Sequence, residues 1–223
     1  MIFDGHSDIF SDVRYKREAG ETQVLKNHHL DRLRKGGIGG ACFVIWADTY
    51  NGHAPKDEME AIVKGIKGEM AETKEFVLIH NVEELKAAEA AGKFAILLGI
   101  EGLAGIGEDL SKIDELYDLG ARHAMLTWNE ENALATGVKG DPNRGVTELG
   151  KQAIKKLQEK KMILDVSHIN EKSFWDVIDL ATGPILASHS NAKALASAAR
   201  NLTDDQLRAI RDTNGLVGLN AFG

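Results

Sequence analysis

Five side chains with nitrogen or oxygen donor atoms stand at the ends of short apolar runs. His6 and Asp8 are two apart in Asp4-Gly5-His6-Ser7-Asp8, so both can point the same way from an extended segment. Glu101 lies in Gly99-Ile100-Glu101-Gly102, His168 closes Asp165-Val166-Ser167-His168, and His189 sits in Ala187-Ser188-His189-Ser190. A donor set of imidazoles and carboxylates without a thiolate suits Zn²⁺ or a similar first-row dication. With one carboxylate bridging, it suits two. Two dications, Asp8, Glu101 and a hydroxide leave the centre at about +1, which favours a developing oxyanion and an anionic substrate terminus. A single strand-end histidine is more often a hydrogen-bonded structural residue; it is the coincidence at four strand ends that points to metal.

The other histidines read differently. His28, His29 and His53 fall in polar text and are expected in solvent. His123 opens its strand, at the wrong end for chemistry, and His80 ends a weak run as a bystander. Gly36-Gly37-Ile38-Gly39-Gly40 follows a helix and precedes a strand, the reverse of a dinucleotide fingerprint. Gly102-Leu103-Ala104-Gly105-Ile106-Gly107 follows a strand with the wrong spacing, and reads as a loop that lets backbone approach the metals. No Gly-x-Ser-x-Gly elbow or P-loop is present.

The elements that must position these residues alternate along the chain. Apolar runs at Met1–Phe3, Ala41–Ala47, Phe94–Ile100, His123–Trp128, Met162–Val166, Pro184–Ala187 and Leu216–Ala221 are apolar on both parities, as in strands buried on both faces of a parallel sheet. A weaker run covers Phe76–Ile79. Helices are expected over Val82–Ala91, Ile113–Leu119 behind a Ser111 cap with Asp114, Glu148–Lys160, a segment after Asn170, and a segment capped by Thr203 with Gln206. Gly92, Gly120 and Gly215 stand where a left-handed residue ends a helix. Repeated β-α units fit a doubly wound sheet or a (β/α)₈ TIM-type barrel.

Composition narrows the class. The chain has 223 residues, 43% of them hydrophobic, a net charge of −7 and one cysteine, Cys42. Wholesale disorder, a disulfide framework and nucleic acid as main partner are excluded. No signal peptide and no membrane span is visible, so a cytoplasmic location is expected.

The segments DGHSD at 4–8, GIEG at 99–102, LTWN at 126–129, DVSH at 165–168, SHS at 188–190 and ARNLTDDQL at 199–207 resemble, in this order, the renal (membrane) dipeptidase family. That family is a branch of the amidohydrolase-like metal-dependent barrels. The resemblance implies one (β/α)₈ barrel domain over 1–223 that hydrolyses dipeptides with water activated between two zinc ions. His6 and Asp8 would hold one zinc, Glu101 would bridge both at the centre of catalysis, and His168 and His189 would hold the second. Arg200 would pair with the substrate's terminal carboxylate, as a guanidinium fork suits.

Two departures follow. The family's carbonyl-polarising histidine is replaced by Trp128, with Asn129 beside it as the candidate for that role. The family's eighth strand, with its aspartate, is absent from these residues, so about seven strands and a C-terminally incomplete barrel are expected. Rival readings are another amidohydrolase-type activity on a lactone or cyclic amide, and a catalytically inactive metal-binding scaffold. A homodimer is left open.

Overall fold

Five consecutive residues from Ala41 to Ile45 are all buried, which requires cover on both faces of their strand. The computed structural model, which describes residues 1–47 and 52–221, supplies it with a curled parallel sheet wrapped by helices. The strands are β1 (Ile2–Ser7), β2 (Ile38–Trp46), β3 (Phe76–Leu78), β4 (Phe94–Glu101), β5 (His123–Met125), β6 (Ile163–Asp165), β7 (Ile185–Ala187) and β8 (Leu216–Val217). The helices are α1 (Ile9–Glu18), α2 (Asp31–Lys35), α3 (Pro55–Glu72), α4 (Val82–Ala90), α5 (Lys112–Leu119), α6 (Glu148–Glu159), α7 (Glu171–Leu180) and α8 (Asp204–Asp212). None of the described helices is long and apolar enough to cross a membrane.

Hydrogen bonding groups the strands as β1-β2-β4-β3 and β5-β6-β7-β8. A bridge between Leu98 and Ala121 joins the two groups, continued by Arg122 N–H donating to Leu98 O at 3.0 Å. Seven strands therefore curl into a half-barrel in the order β1-β2-β4-β5-β6-β7-β8, the partial TIM-type architecture expected from the repeat. The weak run Phe76–Ile79 is a real strand, β3, paired only with the first half of β4. The core runs from Phe10 and Phe43 through Ile96 and Leu98 to Phe174. Phe43 meets Phe10 edge-on and stacks on Phe94, with ring centroids 5.5 Å apart in both pairs.

Caps set where each helix departs from its strand. Asn81, Thr147, Asn170 and Thr203 accept from the backbone N–H three residues on, satisfying donors that the first helical turn leaves open. The box between Thr203 and Gln206 forms in full. The Ser111 cap does not form. Its hydroxyl donates to Asp109 Oδ1 at 2.6 Å, and Asp114 instead pairs with Lys156 and Lys160. Gly92 and Gly120 take positive φ as expected, but after α8 the left-handed residue is Asn214 (φ 58°), not Gly215. His29 is buried rather than solvated, because Asp12 of α1 reaches its Nε2 at 2.8 Å.

Candidate metal centre

All five expected donors reach the C-terminal mouth of the half-barrel. His6 lies near the end of β1, and Asp8 follows at the N-cap of α1 with its side chain making no cap bond to that helix. Glu101 is the last residue of β4, in register with Trp46 at the end of β2. His168 and His189 follow β6 and β7. The His168 backbone is left-handed at φ 70°, a conformation disfavoured for a residue with a Cβ. Neighbours hold it there: Ser167 N–H donates to Asp165 Oδ1 at 2.7 Å, and His168 O accepts from Val138 N–H at 2.9 Å.

Glu101 stands at the centre, buried, with its two oxygens facing different partners. Oε2 lies 3.2 Å from His6 Nε2, which is itself 3.5 Å from Asp8 Oδ1. Oε1 lies 2.9 Å from His168 Nε2 and 3.5 Å from His189 Nε2. Glu101 thus meets His6 through one oxygen and His168 with His189 through the other, and Asp8 adjoins His6. Donor atoms of His6, Glu101 and His189 all fall within 4.8 Å of one another. The His6 and His189 rings stack at 3.7 Å.

The donor chemistry fits a cation. His168 Nδ1 lies 2.9 Å from Asn129 Oδ1, an oxygen that can only accept. The ring donates that bond from Nδ1, which leaves Nε2 facing Glu101 Oε1 at 2.9 Å. His189 Nδ1 is 2.8 Å from Ser188 Oγ. The two Nε2 atoms are 2.8 Å apart, and both face the Glu101 carboxylate. Imidazole nitrogens and a carboxylate converging in a buried place suit a cation held between them. Burial opposes charge on His6, but Asp8 and Glu101 outweigh it and raise its pKa to about 10. Burial pushes the Glu101 carboxyl up, yet the three imidazoles hold it well below the usual range. Burial lowers His189 to about 4 and also raises Asp8.

The centre opens into a cavity of about 760 Å³. Arg200 and Trp128, both singled out in the sequence, line it with Asn129. Arg200 donates from a terminal nitrogen to His189 O at 2.6 Å, while its Nε is buried without a partner. Trp46 and Trp128 meet edge-to-face, with centroids 5.2 Å apart. Residues that sequence reasoning missed also line the cavity: Asp4, Trp46, Ser188 and Lys139. Asp4 and Ser188 lie inside the quoted motifs, and their closeness to the ligands was the available signal. The expectation for the loop after Glu101 changes. Gly102 (φ 80°) brings backbone against Trp128, where a Cβ would lie 2.8 Å from its N, and Gly105 packs on Met59 of α3.

The long connection after β5 is tied down. Arg144 donates to the carbonyls of Asn132 and Ala135 and to Thr136 Oγ1, at 2.7 to 3.0 Å. Asn170 Nδ2 holds the carbonyls of Asp141 and Arg144 at 2.9 Å. Lys139 N–H donates to Asn129 O at 2.8 Å.

A parallel half-barrel with imidazoles and carboxylates gathered at its C-terminal strand ends has the layout of metal-dependent hydrolase barrels. The chain belongs to the membrane dipeptidase family, peptidase family M19, whose model matches residues 1–223. A relative from Acinetobacter calcoaceticus, named only as a protein in the PQQ-III 3′ region, is 31% identical over 250 residues, covering 98% of this chain and 79% of its own. One from Klebsiella pneumoniae, named by the pqqA 5′ region, is 44% identical over 149 residues, which are 64% of this chain and 54% of that one. Among solved structures, a metallopeptidase from Rhodobacter sphaeroides bound to a phosphinate mimic of L-Ala-D-Ala superposes with a TM-score of 0.87 at 27% identity, covering 98% of this chain and 73% of that one. The M19 dipeptidase AC gives the same score and identity over 98% and 72%.

Proposed function

We propose that this chain, as one hydrolase-barrel domain, cleaves dipeptides at a centre of two zinc ions. His6 and Asp8 would hold one ion, His168 and His189 the other, and Glu101 both. The observation that carries the reading is the convergence of the His168 and His189 Nε2 atoms, 2.8 Å apart, on one Glu101 oxygen while His6 faces the other. When bound, zinc supplies Lewis acidity and an activated water near neutral pH.

The chain's own groups do the rest. Arg200 has one nitrogen anchored on His189 O, so its fork is oriented before a substrate arrives, and its remaining N–H groups meet the terminal carboxylate. Asn129 gives its oxygen to His168 Nδ1, which sets the histidine's tautomer and leaves its amide hydrogens for a substrate oxygen. Trp128 and Trp46 form an aromatic wall that keeps water from one side of the scissile bond.

The test is metal content together with turnover. Protein purified without chelator should approach two zinc per chain and hydrolyse Ala-Ala. Full zinc retention by a Glu101→Ala, His168→Ala double variant would sink the assignment.

A further inference from the structure

Two cations face the cavity, and the reading above uses one. Among the described lining residues, Arg200 and Lys139 are the only lysine or arginine; the carboxylates are Asp4, Asp8 and Glu101. The Lys139 ammonium sits 5.3 Å from the centre of the Trp128 ring. Its backbone is held by bonds from Lys139 N–H to Asn129 O and from Val138 N–H to His168 O. Among the described residues its ion-pair partner is Glu130, 3.9 Å away, and both side chains are exposed. A pair of that kind holds its lysine weakly. The cation therefore rests on an aromatic face at the mouth and is free to turn to an anion in the cavity.

The positions of the two cations define a ligand. The main chain of Lys139 is tied to Asn129 beyond β5 and the Arg200 guanidinium to His189 beyond β7, with β6 and His168 between these two anchor points. Two strand spacings set these anchor points about 10 Å apart, and the flexible Lys139 side chain reaches into the cavity from the first. A dipeptide has one terminal carboxylate. A glutamate side chain on its N-terminal residue sets a second one about 8 to 10 Å from the first by covalent geometry. We infer that Lys139 selects substrates whose N-terminal residue is acidic, with the side-chain carboxylate on Lys139 while the terminal carboxylate is on Arg200. This rests on the dipeptidase reading and names its substrate class.

The test is a ratio. The zinc-loaded enzyme is assayed for kcat/KM on Glu-Ala, Ala-Ala, Lys-Ala and Ala-Glu, and Kd is measured by calorimetry for the phosphinate isosteres of Glu-Ala and Ala-Ala. The parent should prefer Glu-Ala to Ala-Ala by about tenfold in both measurements. Lys139→Met should erase that ratio, and Lys139→Glu should turn the preference toward Lys-Ala. Equal treatment of Glu-Ala and Ala-Ala by the parent, a ratio untouched in Lys139→Met, or a preference for Ala-Glu instead would overturn the inference while leaving the dipeptidase reading standing. Hydrolysis of no dipeptide, with neither isostere bound, would overturn both.

Discussion

Replacing His123 with phenylalanine removes the cation from a pair sealed inside the half-barrel. His123 Nε2 lies 2.7 Å from Asp165 Oδ2, and neither side chain is accessible to solvent. Burial pushes His123 toward neutrality, but Cys42 and Asp165 outweigh it and raise its pKa to about 10. Burial pushes the Asp165 carboxyl up, yet His123, Ser188 and the Ser167 N–H hold it at about 2. That depression from 3.8 corresponds to about 2.5 kcal/mol at neutral pH. Stranding one member of a buried pair costs about 3 to 5 kcal/mol. Asp165 keeps the N–H donors of Ser167 and Ser188, so the lower end applies, about 3 kcal/mol. The sign with pH is fixed. The raised histidine contributes fully below its ordinary value of 6.5 and loses that contribution as pH rises through about 10. The depressed aspartate contributes fully above 3.8 and loses it as pH falls through about 2. Parent and variant should therefore differ most between pH 4 and 6.5, with a gap that shrinks toward either extreme. Urea unfolding followed by circular dichroism at pH 3, 5, 7 and 9 measures this. A difference below 1 kcal/mol at pH 5, or one that is flat with pH, would refute the argument.

Other perturbations give separate readings. Arg200→Met should raise KM for free dipeptides by about 30-fold, since it strips a carboxylate of its charged partner; a steady-state assay that also includes C-terminally amidated substrates, expected to be poor ones for the parent, checks this. Asn129→Ala frees the His168 ring from its acceptor and should weaken zinc binding about 10- to 100-fold, measured by competition with a chromogenic chelator. Thr203→Ala breaks the capping box of α8 and should cost about 1 kcal/mol, seen as a lower Tm with unchanged zinc content.

The residues that converge at the mouth were legible because parallel strands buried on both faces leave unbroken apolar runs, and polar side chains stand out where such runs end. His6, Glu101, His168 and His189 could be picked out before any distance was known. Pairing was not legible. Phe76–Ile79 is short, and nothing in its composition says that it occupies half an edge of β4 and leaves the other half to the approach to β5. Local signals failed where a competitor stood close by. Asp109 captured the Ser111 hydroxyl, and Asn214 took the left-handed turn one residue before Gly215. His29 was misjudged because its partner, Asp12, is 17 residues away. Lys139 escaped notice because its segment has no apolar period; side-chain to backbone bonds from Arg144 and Asn170, rather than packing alone, determine where it runs.

That bonded connection shapes the timing of recognition. A wall that Arg144 and Asn170 hold in place before any ligand arrives has little freedom left to lose on complex formation, so contacts made on it are not drained by ordering. Encounter then needs no closure of this connection, and different dipeptides should pass it at similar speeds. Discrimination between them falls to how long each one stays. Cutting the Arg144 clamp would make entry wait on ordering of this wall, so capture would slow and would differ more between good and poor ligands.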